Sequence, residues 1–153
     1  MTANQDVRDR YLAPGPKPDP IHLAACWLTR HGVSLFGTRL LHVTGRKTGQ
    51  VRTTLVSPVV VDGVEYLVAP RGHTQWVRNL RASGRAELTL GRRSWRFVAE
   101  ELSDDEKVPV LRAYLRRYGW SAGKFFEGLD KNSSDEDLRK AAPGFPTFRL
   151  RPA

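Results

Sequence analysis

The segment Thr44-Gly45-Arg46-Lys47-Thr48-Gly49-Gln50-Val51-Arg52 sets cations and a hydroxyl between and just beyond two glycines. Glycine lets a backbone come close to a ligand, and successive N–H groups in a tight turn can form an anion-binding nest. Arg46 and Arg52 can grip a phosphate or carboxylate with two parallel hydrogen bonds, and Lys47 adds a point charge. Two readings follow from the residues alone: an anion site, or a basic hairpin turn facing water. The spacing is not that of a Walker loop, which needs G-x-x-x-x-G-K-[ST].

A second segment, Ala69-Pro70-Arg71-Gly72-His73-Thr74-Gln75-Trp76-Val77-Arg78-Asn79-Leu80, reads as a strand end, a glycine-containing loop and a helix start. Free N–H groups at a helix N-terminus suit anionic or carbonyl oxygens. Trp76 reads as either core or ligand wall, and Asn79 as either a polar anchor or a solvent-facing residue. The histidines His22, His31, His42 and His73 are scattered, with no Ser-His-Asp or metal-binding constellation. The single cysteine, Cys26, lies in an apolar run and reads as a buried small hydrophobe. With one cysteine no intrachain disulfide forms, and a reducing compartment is expected.

The elements that must position these segments are mostly strands. Asp19-Pro20 opens a helix to about Gly32, with Asp at the N-cap and Pro at the first helical position. Strands are expected over 38–43, 51–61 and 64–69, with Pro58 marking an edge or bulge and Asp62-Gly63 a hairpin turn. A short helix over 75–82 ends at Ser83-Gly84. Strands at 86–90 and 94–102 flank Gly91-Arg92-Arg93. Ser103-Asp104-Asp105-Glu106 is a capping box for a helix to about Tyr118. Residues 121–142 read as interrupted helix and 145–150 as a last strand. Short antiparallel strands with helices before, between and after indicate a mainly β, α+β fold built on a closed or split barrel. The absence of repeated βαβ units argues against a Rossmann sheet. Residues 1–18, with three prolines in Pro14-Gly15-Pro16-Lys17-Pro18, read as a flexible tail, and 19–153 as one domain.

The 153-residue chain carries 25 Lys+Arg against 16 Asp+Glu, a net charge of +9. That surplus favours an acidic partner: nucleic acid, an anionic membrane surface or a phosphorylated cofactor. A nucleic-acid binder is not expected, because no RNP aromatics, zinc spacing or helix-turn-helix is found and the cations concentrate in one turn. No apolar run is long enough to span a membrane. The N-terminus lacks a signal-peptide pattern, so a cytoplasmic location is expected. The helix at 20–32 and Phe36 are candidates for peripheral membrane contact, although the helix's moderate polarity favours packing on the barrel.

Leu40-Leu41-His42-Val43-Thr44-Gly45-Arg46-Lys47-Thr48-Gly49-Gln50-Val51-Arg52, followed by the Asp62-Gly63 hairpin and by Gln75-Trp76-Val77-Arg78-Asn79-Leu80, resembles the deazaflavin-dependent nitroreductase and quinone reductase family. The resemblance spans roughly residues 35 to 102. It implies a split antiparallel β-barrel of the FMN-binding type and a cytoplasmic oxidoreductase that passes a hydride from reduced coenzyme F-420 to an electron-poor acceptor. Quinones, nitroaromatics and activated alkenes are the acceptor classes. By that resemblance Arg46, Lys47, Thr48 and Arg52 hold the cofactor's phosphate and acidic tail. Ala69, Pro70, Arg71 and Gly72 cup the deazaflavin ring, with Trp76 and Asn79 behind them. Thr54 joins this cofactor-binding set where many members carry Asn-Pro. Tyr118 and His73 are the catalytic candidates, no metal is required, and a homodimer is an option. The loop Arg71–Gln75 is shorter than in many members, which leaves room for a barrel protein that binds FMN, haem or another anionic ligand instead.

Overall fold

The computed structural model describes residues 7–13, 20–32 and 37–153. The proline-rich 14–18, the expected N-cap Asp19 and Phe36 lie outside the described residues. Seven antiparallel strands form one sheet in the order β2-β1-β5-β6-β7-β4-β3. They are β1 (Arg39–Thr44), β2 (Val51–Val56), β3 (Val59–Val61), β4 (Val64–Val68), β5 (Arg85–Leu90), β6 (Arg93–Glu101) and β7 (Thr147–Pro152). The helices are α1 (Pro20–Arg30), α2 (Gln75–Ser83), α3 (Asp104–Ala122) and α4 (Asp135–Ala141).

The strand expected over 51–61 is two strands, broken at Ser57-Pro58. Proline cannot donate to a ladder, and here the break divides the chain between the sheet's two opposite edges. β2 and β3 are those edges, yet only Ser57 and Pro58 separate them in sequence. The sheet must therefore curl until its edges approach, without hydrogen bonding to each other. The result is a split half-barrel.

Local signals account for most boundaries. Asp62 and Gly63 both adopt positive φ, 51° and 77°, as a two-residue type I′ hairpin requires. Ser103 caps α3, its hydroxyl accepting from Glu106 N–H while the Glu106 carboxylate accepts from Ser103 N–H. The acidic first turn Asp104-Asp105-Glu106 complements the helix dipole. Gly84 closes α2 in the left-handed conformation.

Two apolar clusters hold the layers together. One packs Val77 and Leu80 of α2 against Leu41, Val43, Leu67, Leu88, Phe97 and Phe148 of the sheet. The other joins α3 and α4, through Leu111, Tyr114, Leu115 and Leu138, to Val59, Tyr66 and Val68. Helix α1 buries little of its surface among the described residues. Thr29 is its one buried residue, bonded through Oγ1 to Ala25 O and Thr38 Oγ1, while Ile21, Leu23 and Trp27 are exposed. Cys26 is half-buried rather than buried, 3.6 Å from His22 Nε2, and burial raises its thiol pKa.

Candidate functional site

The register of the β1–β2 hairpin decides which side chains meet. Leu41 pairs with Thr54, Val43 with Arg52 and Arg39 with Val56, so Arg52, Thr54 and Val56 share the face that carries Leu41 and Val43. That face opens into a cleft of about 900 Å³. The cleft runs from the 45–48 turn, across Leu41 and Val43 and the strand end Val68-Ala69-Pro70, to Trp76 of α2 and Tyr114 of α3.

Ten of the sequence-derived residues line it: Arg46, Lys47, Thr48, Arg52, Thr54, Ala69, Pro70, Arg71, Trp76 and Asn79. No carboxylate lines it among the described residues, and every ion pair among them lies elsewhere. Lys47 and Arg52 are exposed and have no acidic partner among the described residues. Their positive potential is therefore uncompensated at one end of the cleft.

The hairpin turn is held by its own backbone. Gly45 N–H donates to Gln50 O at 2.7 Å and Gly49 N–H to Gly45 O at 2.9 Å. Asn79 then pins the turn to α2. Its Oδ1 accepts from Arg46 N–H at 3.1 Å and from Arg46 Nη1 at 2.7 Å, while Gln75 Oε1 accepts from Arg46 Nη2 at 3.0 Å. Asn79 is 5% exposed. Arg46 is therefore a strut between turn and helix, while Lys47 and Arg52 have no side-chain partner among the described residues. Trp76 sits in both places that its sequence allowed: it lines the cleft and packs on Phe148, ring centroids 6.1 Å apart.

Three expected residues are placed elsewhere. Gly72, at φ 86°, faces the N-terminal segment: a Cβ there would sit 2.0 Å from Arg10 O. His73 is a latch. An arginine only donates, so His73 Nδ1 accepts from Arg81 Nη1 at 2.9 Å and Nε2–H donates to Pro143 O at 3.2 Å. The ring is thus the neutral Nε2–H tautomer. Burial lowers its pKa, opposed by the Pro143 carbonyl. Tyr118 donates its hydroxyl to Pro58 O at 2.6 Å and is 3% exposed, fixing the β2–β3 crossing instead of lining the cleft. The residue one turn earlier, Tyr114, lines the cleft in its place. Burial strongly raises its phenol pKa, with Tyr118 adding to the effect, and its hydroxyl has no hydrogen-bond partner among the described residues. The i, i+4 spacing of Tyr114 and Tyr118 put both on one helix face, but sequence does not say which end of that face reaches the cleft.

Thr74 was also unanticipated. It is the N-cap residue of α2, yet its side chain makes no capping bond. Its Oγ1 is buried without a partner and the residue lines the cleft. A buried orphan hydroxyl is costly, and a ligand in the cleft would relieve that cost.

The family model described as F420H(2)-dependent quinone reductase matches residues 29–122, more than half of the chain. The chain belongs to this family. Its members are coenzyme F-420-dependent oxidoreductases, and the match runs from the end of α1 through α3, beyond the stretch carried by the two sequence motifs. No curated protein matches the chain by sequence. Solved structures similar to this family member include Atu2129, a protein of unknown function from Agrobacterium tumefaciens, at 19% identity and TM-score 0.57, covering 92% of this chain and 57% of that one. An F420-H2 dependent reductase, FDR-A, matches at 18% identity and TM-score 0.54, covering 75% and 94%. HutZ, a haem storage protein of Vibrio cholerae, matches at 12% identity and TM-score 0.52, covering 76% and 82%. At these identities the likenesses establish the split-barrel fold. This chain spans 57% of the length of the Agrobacterium protein. Among the described residues, no helix is long and apolar enough to cross a membrane, and no group of His, Cys, Asp or Glu could hold a metal ion.

The cleft suits the family's cofactor. An uncompensated cationic end, an apolar floor and the orphan hydroxyl of Thr74 match a planar ring with a long anionic tail.

Two outcomes follow. Asn79→Ala removes the shared acceptor of Arg46, so amide exchange at Arg46 should accelerate and affinity for oxidised F-420 should fall roughly tenfold; hydrogen exchange and fluorescence titration read the two. His73 is held below its ordinary pKa of 6.5, so the unfolded chain takes up that proton first as pH falls, and stability declines on acidification below about pH 6.5. Melting temperatures between pH 7 and 5 should drop less steeply in His73→Gln than in the wild type.

Proposed function

We propose that this chain transfers a hydride from reduced coenzyme F-420 to a planar, electron-poor acceptor of the quinone type, in the cleft between β2 and α3. The observation that carries this reading is one cleft that no carboxylate lines among the described residues, walled by the cations of the 46–52 segment and by apolar and aromatic side chains. When bound, the deazaflavin supplies the hydride from its C5 position.

The residues divide the remaining work. Lys47, Thr48 and Arg52 hold the phosphate and acidic tail, with Arg46 acting through Asn79 and Gln75 to keep the turn in shape. Thr54, Ala69, Pro70 and Trp76 flank the ring, and Thr74 Oγ1 offers it a hydrogen bond. Charge on Lys47 and Arg52 then serves binding, and the apolar walls serve orientation and exclusion of water.

Reducing a quinone takes a proton as well as a hydride. Tyr114, whose hydroxyl has no hydrogen-bond partner among the described residues, is suited to donate a hydrogen bond to the acceptor's oxygen; burial makes its phenol a weaker acid, so the proton itself is taken from solvent. His73 and Tyr118, whose polar atoms are engaged outside the cleft, are not assigned proton transfer. The shape and chemistry of the aromatic end favour quinones and nitroaromatics over small polar substrates.

The test is Lys47→Ala combined with Arg52→Ala. Affinity for oxidised F-420 should fall by roughly tenfold or more and lose most of its dependence on salt, while FMN, with fewer anionic groups, should lose less. Unchanged F-420 affinity would remove the proposed tail site.

A further inference from the structure

Residues 7–13 precede the stretch that matches the family, yet one of them, Tyr11, lines the cleft. Their anchor is Arg10, which is 8% exposed. Its Nη1 donates to Pro70 O at 2.7 Å and to Gly144 O at 3.3 Å, and its Nη2 to Phe125 O at 2.6 Å. The guanidinium lies 4.3 Å from the centroid of the Phe145 ring. One side chain thus ties together the loop after β4, the turn after α3 and the turn before β7. Burial lowers the Arg10 pKa and the Glu127 charge partly offsets this. A cation held mainly by backbone carbonyls is a costly arrangement that persists where it fixes geometry.

The backbone completes the attachment. Leu12 N–H donates to Arg71 O at 2.7 Å, and His73 N–H donates to Arg10 O at 2.8 Å. Tyr11 and Gly72 form an antiparallel bridge between these bonds. The close approach leaves no room for a side chain at position 72, which explains the glycine there. The segment is therefore a strap zipped onto the loop that the sequence assigned to the ring. The bonds of Arg10 to Pro70 and Phe125 bring the neighbouring Tyr11 to the aromatic end of the cleft, which Tyr114, Ala122 and Phe125 also line.

We propose that Tyr11 is a specificity-determining residue for the electron acceptor, and that Arg10 is the positioning residue that holds it at the cleft. The proposal rests on the oxidoreductase reading above and adds to it the wall that selects the substrate. The acceptor class is a planar, uncharged ring, because the walls at this end are aromatic and offer no side-chain charge of their own beyond Arg71. The Arg71 guanidinium is turned to Ala13 O at 3.2 Å and to the Phe125 ring. A flat ring gains from stacking against such walls. The deazaflavin's anionic tail is assigned to Lys47, Thr48 and Arg52, so the grip on the tail and the wall at Tyr11 depend on different residues.

Tyr11→Ala, Tyr11→Phe and Arg10→Met test this, with 1,4-naphthoquinone as acceptor and reduced F-420 as donor, beside a titration with oxidised F-420. Tyr11→Ala should raise the quinone KM roughly tenfold and leave F-420 affinity unchanged, and Tyr11→Phe should restore the wild-type KM. Arg10→Met should raise the KM similarly and, in the ligand-free protein, accelerate amide exchange at Leu12 and His73. A wild-type KM in Tyr11→Ala, or a loss of F-420 affinity as large as the KM change, would overturn the assignment. Failure of the wild-type protein to bind F-420 would overturn the oxidoreductase reading and this proposal together. F-420 binding with a KM indifferent to Tyr11 would overturn this proposal alone.

Discussion

The cleft depends on the carbonyl oxygen of one buried asparagine. Asn79 Oδ1 receives both the backbone N–H and the guanidinium of Arg46, and so joins a β-hairpin turn to a helix more than thirty residues later. A basic turn left to itself would spread its cations into water, where each is screened and mobile. Clamped at Arg46, the turn presents Lys47, Thr48 and Arg52 along one side of a fixed wall. The two glycine-flanked cations and the Trp-x-x-Asn helix of the sequence are therefore two halves of one device. One carries the charge, and the other holds it still.

The barrel supplies the second condition. Because Ser57 and Pro58 are all that separate the two edge strands, the sheet must curl, and its inner register sets Arg52 and Thr54 beside Leu41 and Val43. A one-residue slip in the β1–β2 pairing would turn Arg52 away and send Val51 and Thr53 inward. The outer face opposes such a slip: His42 bridges Thr53 Oγ1 and Thr89 Oγ1 at 2.8 Å each. Electrostatics and topology thus specify the same geometry, as expected of a sequence that folds to one structure.

Much of this was legible before the structure. The Asp62-Gly63 hairpin, the capping box at Ser103 and the glycine stop at Gly84 are local signals with local causes, and each element forms there. The strand expected over 51–61 extends across Pro58 because β-branched residues lie on both sides of it, and only the closing of the sheet reveals the break. Arg46 was read as a phosphate grip because its chemistry is that of Arg52; its diversion to Asn79 is a long-range contact that composition does not encode. His73 and Tyr118 are misplaced for the same reason: their partners, Pro143 and Pro58, are 70 and 60 residues away. The i, i+4 spacing of Tyr114 and Tyr118 is a usable signal, because it places Tyr114 on the same helix face as Tyr118. Nothing in the sequence reports that Arg10 spans three distant carbonyls, so its stretch reads as tail.

The central claim is that a carboxylate-free cationic turn, clamped by Asn79, selects a cofactor with a long anionic tail. A fluorescence titration of the purified protein with oxidised F-420, beside FMN at the same salt concentration, tests it most directly. The account predicts micromolar or tighter binding of the deazaflavin, distinctly weaker binding of FMN, and an F-420 affinity that falls as salt rises. Absence of F-420 binding, or a preference for FMN, would contradict it.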